Sequence, residues 1–313
     1  MRAAVLHELE AAPEVGPFDE PVAGAEDTVV VDVAAAGLNH LDLLKASGRF
    51  YTGPPPLPSI VGSDGVGRLD DGRRVFFDAC VAPFGAMAER ALVSRAGLHD
   101  VAEGVDDATA AALGNAGLAA WLALDWRAAL QPGETVLVLG ANGALGRIAL
   151  QVAKLLGAGR VVALARAREI VSDLEGLGAD AVVVAEEHDD LAPALRDATD
   201  GGHDIAIDPL WGAPAVAAMQ AARRGARHIQ LGQLAGLEAS IAAPVVRSAA
   251  LDIRGMSIFH APMDVRRDGY LRLTAHAAAG EIAVDRETVP LEDVADAWER
   301  QRRGAGTKLV IVP

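Results

Sequence analysis

Val136-Leu137-Val138-Leu139-Gly140-Ala141-Asn142-Gly143-Ala144-Leu145-Gly146 is the stretch that decides how this chain folds. Its first part is a short apolar run, the kind that fills a strand buried on both faces. The part that follows opens a helix. Leu145, Ile148, Ala149, Val152, Ala153 and Leu156 recur at helical spacing over 144–156, and Gly157 supplies the stop. At the junction glycine permits a tight turn, Gly143 lets a pyrophosphate approach the backbone, and Gly146 lets helix and strand pack closely. Gly140, Asn142, Gly143, Ala144, Leu145 and Gly146 are therefore candidate cofactor contacts. Ala141 replaces the first glycine of the usual G-x-G-x-x-G, so the string alone is weak; a strand before it and a helix after it carry the weight. The competing reading is a glycine-rich turn with no ligand.

Downstream, apolar runs at 161–165, 181–185, 205–208 and 228–232, with a sixth near Ile253, alternate with helical patterns at 169–177, 191–199 and 213–223. That alternation predicts right-handed βαβ units and a parallel, doubly wound sheet. Upstream, residues 1–100 carry short strand-like runs at 28–34, 66–69, 75–79 and 89–93, broken by Gly and Pro, notably Gly53-Pro54-Pro55-Pro56-Leu57-Pro58. This reads as an irregular, largely antiparallel β domain. A helix at 291–302 and a closing strand, Lys308–Val312, return to mixed structure and are placed to rejoin the first domain. The expected fold is α/β, with residues 1–117 and 257–313 forming the β domain and 118–256 the parallel one.

Composition narrows the partners. The chain has 313 residues, 51% of them hydrophobic and only 4% aromatic, and a net charge of -15. Such a charge repels nucleic acid and anionic membrane surfaces, so any phosphate-bearing ligand needs a local cluster of donors. Cys80 is the only cysteine, which excludes an intrachain disulfide and a multi-cysteine metal site. No signal-peptide core follows Met1, and no apolar run reaches the roughly 18 residues of a spanning helix. A cytoplasmic protein is expected.

The second strand of the parallel domain chooses between dinucleotides. An NAD-specific site places an acid at its end, about 20 residues after the glycine loop, to bond the ribose 2′-hydroxyl. Here that place falls in Leu164-Ala165-Arg166-Ala167-Arg168, and no acid appears before Glu169. Arg166 and Arg168 are suited to clasp a 2′-phosphate through charge-assisted bonds. The alternative is two solvated arginines at a helix start, where the dipole disfavours them. NADP(H) is the expected cofactor. Gly232, ending the run 228–232, and Lys308, opening the closing strand, complete the candidate cofactor contacts.

Several further pieces are quite specific together: Gly37-Leu38-Asn39-His40-Leu41-Asp42, Pro58-Ser59-Ile60-Val61-Gly62-Ser63-Asp64, Gly85-Ala86-Met87-Ala88-Glu89, Gly117-Leu118-Ala119-Ala120-Trp121, Gln131-Pro132-Gly133-Glu134-Thr135-Val136-Leu137-Val138, Asp208-Pro209-Leu210-Trp211-Gly212 and Val289-Pro290-Leu291-Glu292-Asp293-Val294. Nearly end to end, the chain resembles the zinc-independent quinone oxidoreductase (zeta-crystallin-like) branch of the medium-chain dehydrogenase/reductase superfamily. The resemblance implies a GroES-like catalytic domain built from both chain ends, with a Rossmann domain between them in sequence. In the zinc alcohol dehydrogenases of that superfamily three ligands hold a catalytic metal. By motif alignment their places fall on Asn39, Ser63 and Asn115, none a good zinc ligand. His40 and His99 are isolated, and isolated histidines are more often structural than ligating. No metal is expected.

Without a Lewis acid, a simple ketone or alcohol loses its main electrostatic support, whereas a conjugated quinone or enone spreads the arriving charge. The expected reaction is NADPH-dependent hydride transfer to a small quinone or enone. The resemblance implies that Asn39 touches the nicotinamide end, with Asp42 nearby as an orienting acceptor; Tyr51, before the proline run, is placed to bond the substrate oxygen or relay a proton. Each has a plainer reading: Asn39 and Asp42 as caps of a helix near Leu41, Tyr51 as a packed loop aromatic. Two departures from the family pattern, Ala119 in place of the usual threonine and the short connection between Gly67 and Val75, put the acceptor's identity in doubt. Rival readings are an enoyl reductase acting on acyl thioesters and a low-turnover NADPH-binding structural or redox-sensing protein. A homodimer is expected, as in the family, through an edge strand at 251–258.

Overall fold

The computed structural model describes residues 1–24 and 27–313. They fall into two compact units, Ala119–Arg266 and the pair of segments Met1–Leu118 with Arg267–Pro313.

Ala119–Arg266 carries a six-stranded sheet in which every pairing is parallel. In chain order its strands are Thr135–Val138, Arg160–Ala165, Ala181–Val184, Ile205–Asp208, Arg227–Gln230 and Asp252–Gly255. Their spatial order is third, second, first, fourth, fifth, sixth, the doubly wound arrangement whose switch point lies between the first and fourth strands. Thr135–Val138 is buried along its whole length, as its all-apolar centre requires. The helix Ala144–Leu155 turns Ile148, Ala149, Val152 and Ala153 inward, the stripe set by its spacing. Asp252–Gly255 forms one edge of the sheet.

Met1–Leu118 and Arg267–Pro313 build a mainly antiparallel unit. A three-stranded sheet places Arg2–Leu6 between Glu14–Pro17 and Ser59–Ile60. A seven-stranded sheet has Thr28–Gly37 near its centre. The closing strand Lys308–Val312 pairs antiparallel with it, Val310 opposite Gly37 and Ile311 opposite Ala36. On its other side Lys308–Val312 pairs in parallel with Arg286–Pro290. Leu38, Phe77, Met87, Trp298, Leu309 and Ile311 share one fully buried core. Gly65–Arg68 and Arg74–Phe77 form a hairpin closed at Gly72, whose φ of +83° suits glycine.

The unit Ala119–Arg266 ends inside the helix Met263–Ala278. That helix has no one-sided apolar stripe, since arginines and aspartates interrupt it between Asp264 and Arg272.

Candidate active site and glycine loop

In the β unit a buried polar network grows from the end of the strand Thr28–Gly37. There the chain turns into the short helix His40–Ala46, with Asn39 as its extended N-cap. The Asp42 carboxylate accepts the Asn39 backbone N–H at 2.8 Å, so the capping role is real. Its other oxygen accepts the Ser63 hydroxyl at 2.6 Å. The Asn39 amide is held at both ends: Nδ2 donates to Asp64 Oδ1 at 2.6 Å, and Oδ1 accepts from Lys308 Nζ at 2.6 Å. Lys308 also donates to the Leu38 carbonyl at 2.8 Å, and the Asn115 backbone N–H donates to Asp64 Oδ2 at 3.0 Å. Asn39, Asp42, Ser63, Asp64 and Lys308 are all buried.

Burial sets the electrostatics here. It pushes the Asp64 carboxyl up to about 7, against the pull of the Lys308 ammonium. Burial likewise holds the Lys308 ammonium below its ordinary range, against the pull of Asp64 and Asp42. The residues at the three aligned metal positions thus meet around two aspartates, with two lysines in the same network: Lys45 donates to Ser63 Oγ at 3.0 Å. Among the described residues no group of three or more His, Cys, Asp or Glu side chains is placed to hold a metal. His99 is buried beside Asp78, 3.2 Å away, and packs on Phe76 and Tyr270. Tyr51 is 65% exposed, its ring 4.1 Å from that of Phe50.

In the parallel unit Gly140 adopts φ +60° at the end of the first strand, and Gly143 caps the helix Ala144–Leu155. No side chain fills that cap, and the first turn holds no acid. Two other helices are capped differently: Asp106 accepts from the backbone N–H of Thr109, and Asp190 from that of Ala192. Backbone donors at an uncapped helix start suit an anion. A side chain at Gly146 would strike Ala141 Cα and the Gly140 carbonyl, each at 2.6 Å, so only glycine allows this approach. One at Gly232 would meet the Pro209 carbonyl at 2.6 Å, and one at Gly140 would meet Leu210 at 3.0 Å. The glycine loop, the segment 209–212 and Gly232 therefore converge at the carboxyl ends of the first, fourth and fifth strands.

Asp208 fixes that segment: it accepts the backbone N–H of Leu210 at 2.9 Å and of Trp211 at 2.8 Å, with His228 Nε2 at 2.8 Å. Arg166 and Arg168 both sit exposed beyond the second strand, each facing an acid that follows the third. Arg168 makes two bonds to Glu187, at 2.6 and 2.5 Å, and Arg166 lies 3.6 Å from Glu186.

The zinc-binding dehydrogenase family profile matches residues 144–273. Quinone oxidoreductase-like protein 2 of Mus musculus is 33% identical over 258 residues, 77% of this chain and 70% of its own length. The chain belongs to the quinone oxidoreductase branch of the medium-chain dehydrogenases/reductases. It is an oxidoreductase. Within that superfamily an alcohol dehydrogenase of Geobacillus stearothermophilus is 28% identical over 97% of each chain. A phenolphthiocerol/phthiocerol polyketide synthase of Mycobacterium tuberculosis is 29% identical over 91% of this chain, which spans 13% of that larger protein. Among solved structures, the quinone oxidoreductase of Thermus thermophilus, crystallised also with NADPH, superimposes over all of both chains with a TM-score of 0.81 and 30% identity.

Asp64, Lys45, Asp208 and His228 are the site residues that sequence reasoning missed. Asp64 and Asp208 both stand inside quoted motif pieces, and their place in those pieces is the only signal the sequence offers for them. Nothing in the spacing of Lys45 or His228 marks them.

Proposed function

We propose that this member of the branch uses NADP(H) to transfer a hydride to a small quinone or enone, without zinc. Bound at the glycine loop, NADPH supplies the hydride. Gly143 and Gly146 leave the helix start open to its pyrophosphate, and Gly232 with the segment 209–212 borders the same loop. Arg166 and Arg168 are the groups for the 2′-phosphate, exchanging their present acidic partners for it. Asn39, clamped between Lys308 and Asp64, presents a fixed amide edge for the nicotinamide end, and Asp42 orients it.

The observation that carries this reading is the fate of the three aligned metal positions. Asn39 has both amide ends engaged, Ser63 donates to Asp42 and accepts an ammonium hydrogen, and Asn115 contributes its backbone. This donor set does not fit zinc: two ammonium groups stand in the network, and neutral amide and hydroxyl oxygens are poor ligands for that ion. An acceptor activated by its own conjugation is what such a site serves. The edge strand Asp252–Gly255 is the surface proposed to pair two copies into a homodimer.

The test follows NADPH loss with a panel of quinones, enones and acyl thioesters, before and after treatment with a chelator. Turnover of quinones or enones that survives chelation, with no stoichiometric zinc by elemental analysis, is the expected result. One zinc per chain, lost together with activity, would overturn the mechanism. A thioester consumed faster than any quinone would favour the acyl-thioester reductase instead, and no consumption at all a binding protein.

A further inference from the structure

A cleft of about 160 Å³ opens beside the polar network, lined among others by Asp42, Lys45, Ser63, Cys80, Pro55 and Phe84. Lys45 lies in the last turn of the helix His40–Ala46. Its Nζ donates to Ser63 Oγ at 3.0 Å and stands 5.8 Å from the centroid of the Phe50 ring. Ser63 has one hydroxyl proton, and it is committed to Asp42 at 2.6 Å. The hydrogen bonds therefore run one way, from Lys45 through Ser63 to Asp42. The second Asp42 oxygen holds the Asn39 N–H. An ammonium is thus pinned at the cleft by a chain that ends on the residue assigned to the nicotinamide. It also stands beside Ser63, one of the places where zinc relatives carry a metal ligand.

We propose that Lys45 is the electrophile of this cleft, holding the carbonyl oxygen of the acceptor and protonating it. The proposal rests on the hydride-transfer reading above. In the reaction the acceptor takes a hydride at carbon, and its C=O π electrons move to oxygen. The oxygen then forms an O–H bond as one N–H bond of Lys45 breaks. The amine left behind regains a proton from water, NADPH has been oxidised, and the acceptor has gained two electrons and two hydrogens. A fixed cation near the developing oxyanion does here what a Lewis acid does in the zinc enzymes, because charge appearing on oxygen meets a preorganised positive group. The ligand class that follows is a conjugated carbonyl compound, or the anion of its reduced form.

Lys45→Ala is the variant to make, since alanine is the best helix former and the side chain is only half buried. Its kcat with enones should fall about a hundredfold or more, as loss of a general acid or an oxyanion donor does. NADPH affinity, read by fluorescence, should not change. Added methylammonium should restore part of the lost rate, which a merely structural role would not allow. A second readout needs no turnover: p-nitrophenolate, an oxyanion on a conjugated ring, should bind the wild type at least tenfold more tightly than the variant, about 1.4 kcal/mol. Unchanged kcat, or a loss that methylammonium does not relieve while phenolate affinity stays intact, would overturn the assignment. So would a larger loss in Tyr51→Phe, which would pass the role to Tyr51. If the wild type consumes no NADPH with any acceptor of the panel, the hydride-transfer reading fails. The phenolate titration still decides the cleft, and equal affinity in both proteins would sink Lys45.

Discussion

The glycine loop and the polar network are built from opposite materials. The loop works by lacking side chains: Gly143 leaves a helix start uncapped, and Gly146 lets the helix press against Ala141. The network works by crowding side chains, five polar or charged residues buried within hydrogen-bond reach of one another. At Gly146 the loop has no room for an added atom. A network made of charges tolerates the loss of a partner only if the remaining charge finds a proton, and Asp64 is poised to take one. The first should therefore fail sterically at any pH, and the second should respond to protons.

Gly146→Ala would strain this contrast most. The new Cβ meets two backbone atoms of the segment 140–141 at 2.6 Å, so the helix must move. Overpacking of this kind costs about 1–3 kcal/mol, and NADPH binding should weaken at least tenfold as the helix start shifts. A thermal melt and a fluorescence titration read both. A variant that melts and binds like the wild type would mean that the loop is not limited by space.

Asp64→Asn probes the other side. A carboxyl whose folded pKa is raised keeps its proton where the unfolded chain has released it. The contribution of Asp64 to stability is therefore fully present below its ordinary value of 3.8 and fades as pH rises towards about 7. The slope is at most about 1.4 kcal/mol per pH unit. Denaturant melts across that window should show wild-type stability falling relative to Asp64→Asn as pH rises. Parallel curves would mean that Asp64 titrates normally and that the network is a plain set of hydrogen bonds.

The smallest effect is expected at the rim of the loop. Arg166 and Arg168 are exposed and already paired with Glu186 and Glu187. Trading one exposed partner for another gains little, so the double alanine variant should lose only about fivefold in NADPH affinity. NADH affinity should hold. Equal losses for the two cofactors would remove the arginines from 2′-phosphate recognition.

The same contrast explains what can be read from the sequence. The glycine loop is legible because its parts are contiguous: strand, turn and helix follow one another within 135–155, and each leaves a local pattern. The network draws on Asn39, Asp42, Ser63, Asp64, Asn115 and Lys308, which only the tertiary fold brings together. Asn39 and Asp42 stand out because they share one short motif; Asp64 escapes notice because a buried acid looks like any other until its partners are known. Asp42 serves the helix cap as well as the network, so the plainer reading and the functional one are not exclusive. Met263–Ala278 is illegible for another reason. It buries Tyr270, Leu273 and Thr274 but scatters arginines and aspartates between Asp264 and Arg272, so no periodicity marks it as a helix.

The strand Lys308–Val312 closes a sheet begun by Thr28–Gly37, and the lysine that grips Asn39 lies 269 positions beyond it. The unit Ala119–Arg266 holds all six of its strands in one uninterrupted stretch. Domains fold as units while a chain is being synthesised, the earlier-emerging ones first. On the ribosome, then, the inner unit has its whole sheet in hand while the outer one still waits for its last strand and its buried cation. The glycine loop is thus complete in the growing chain well before the Asn39 clamp, whose lysine arrives almost last.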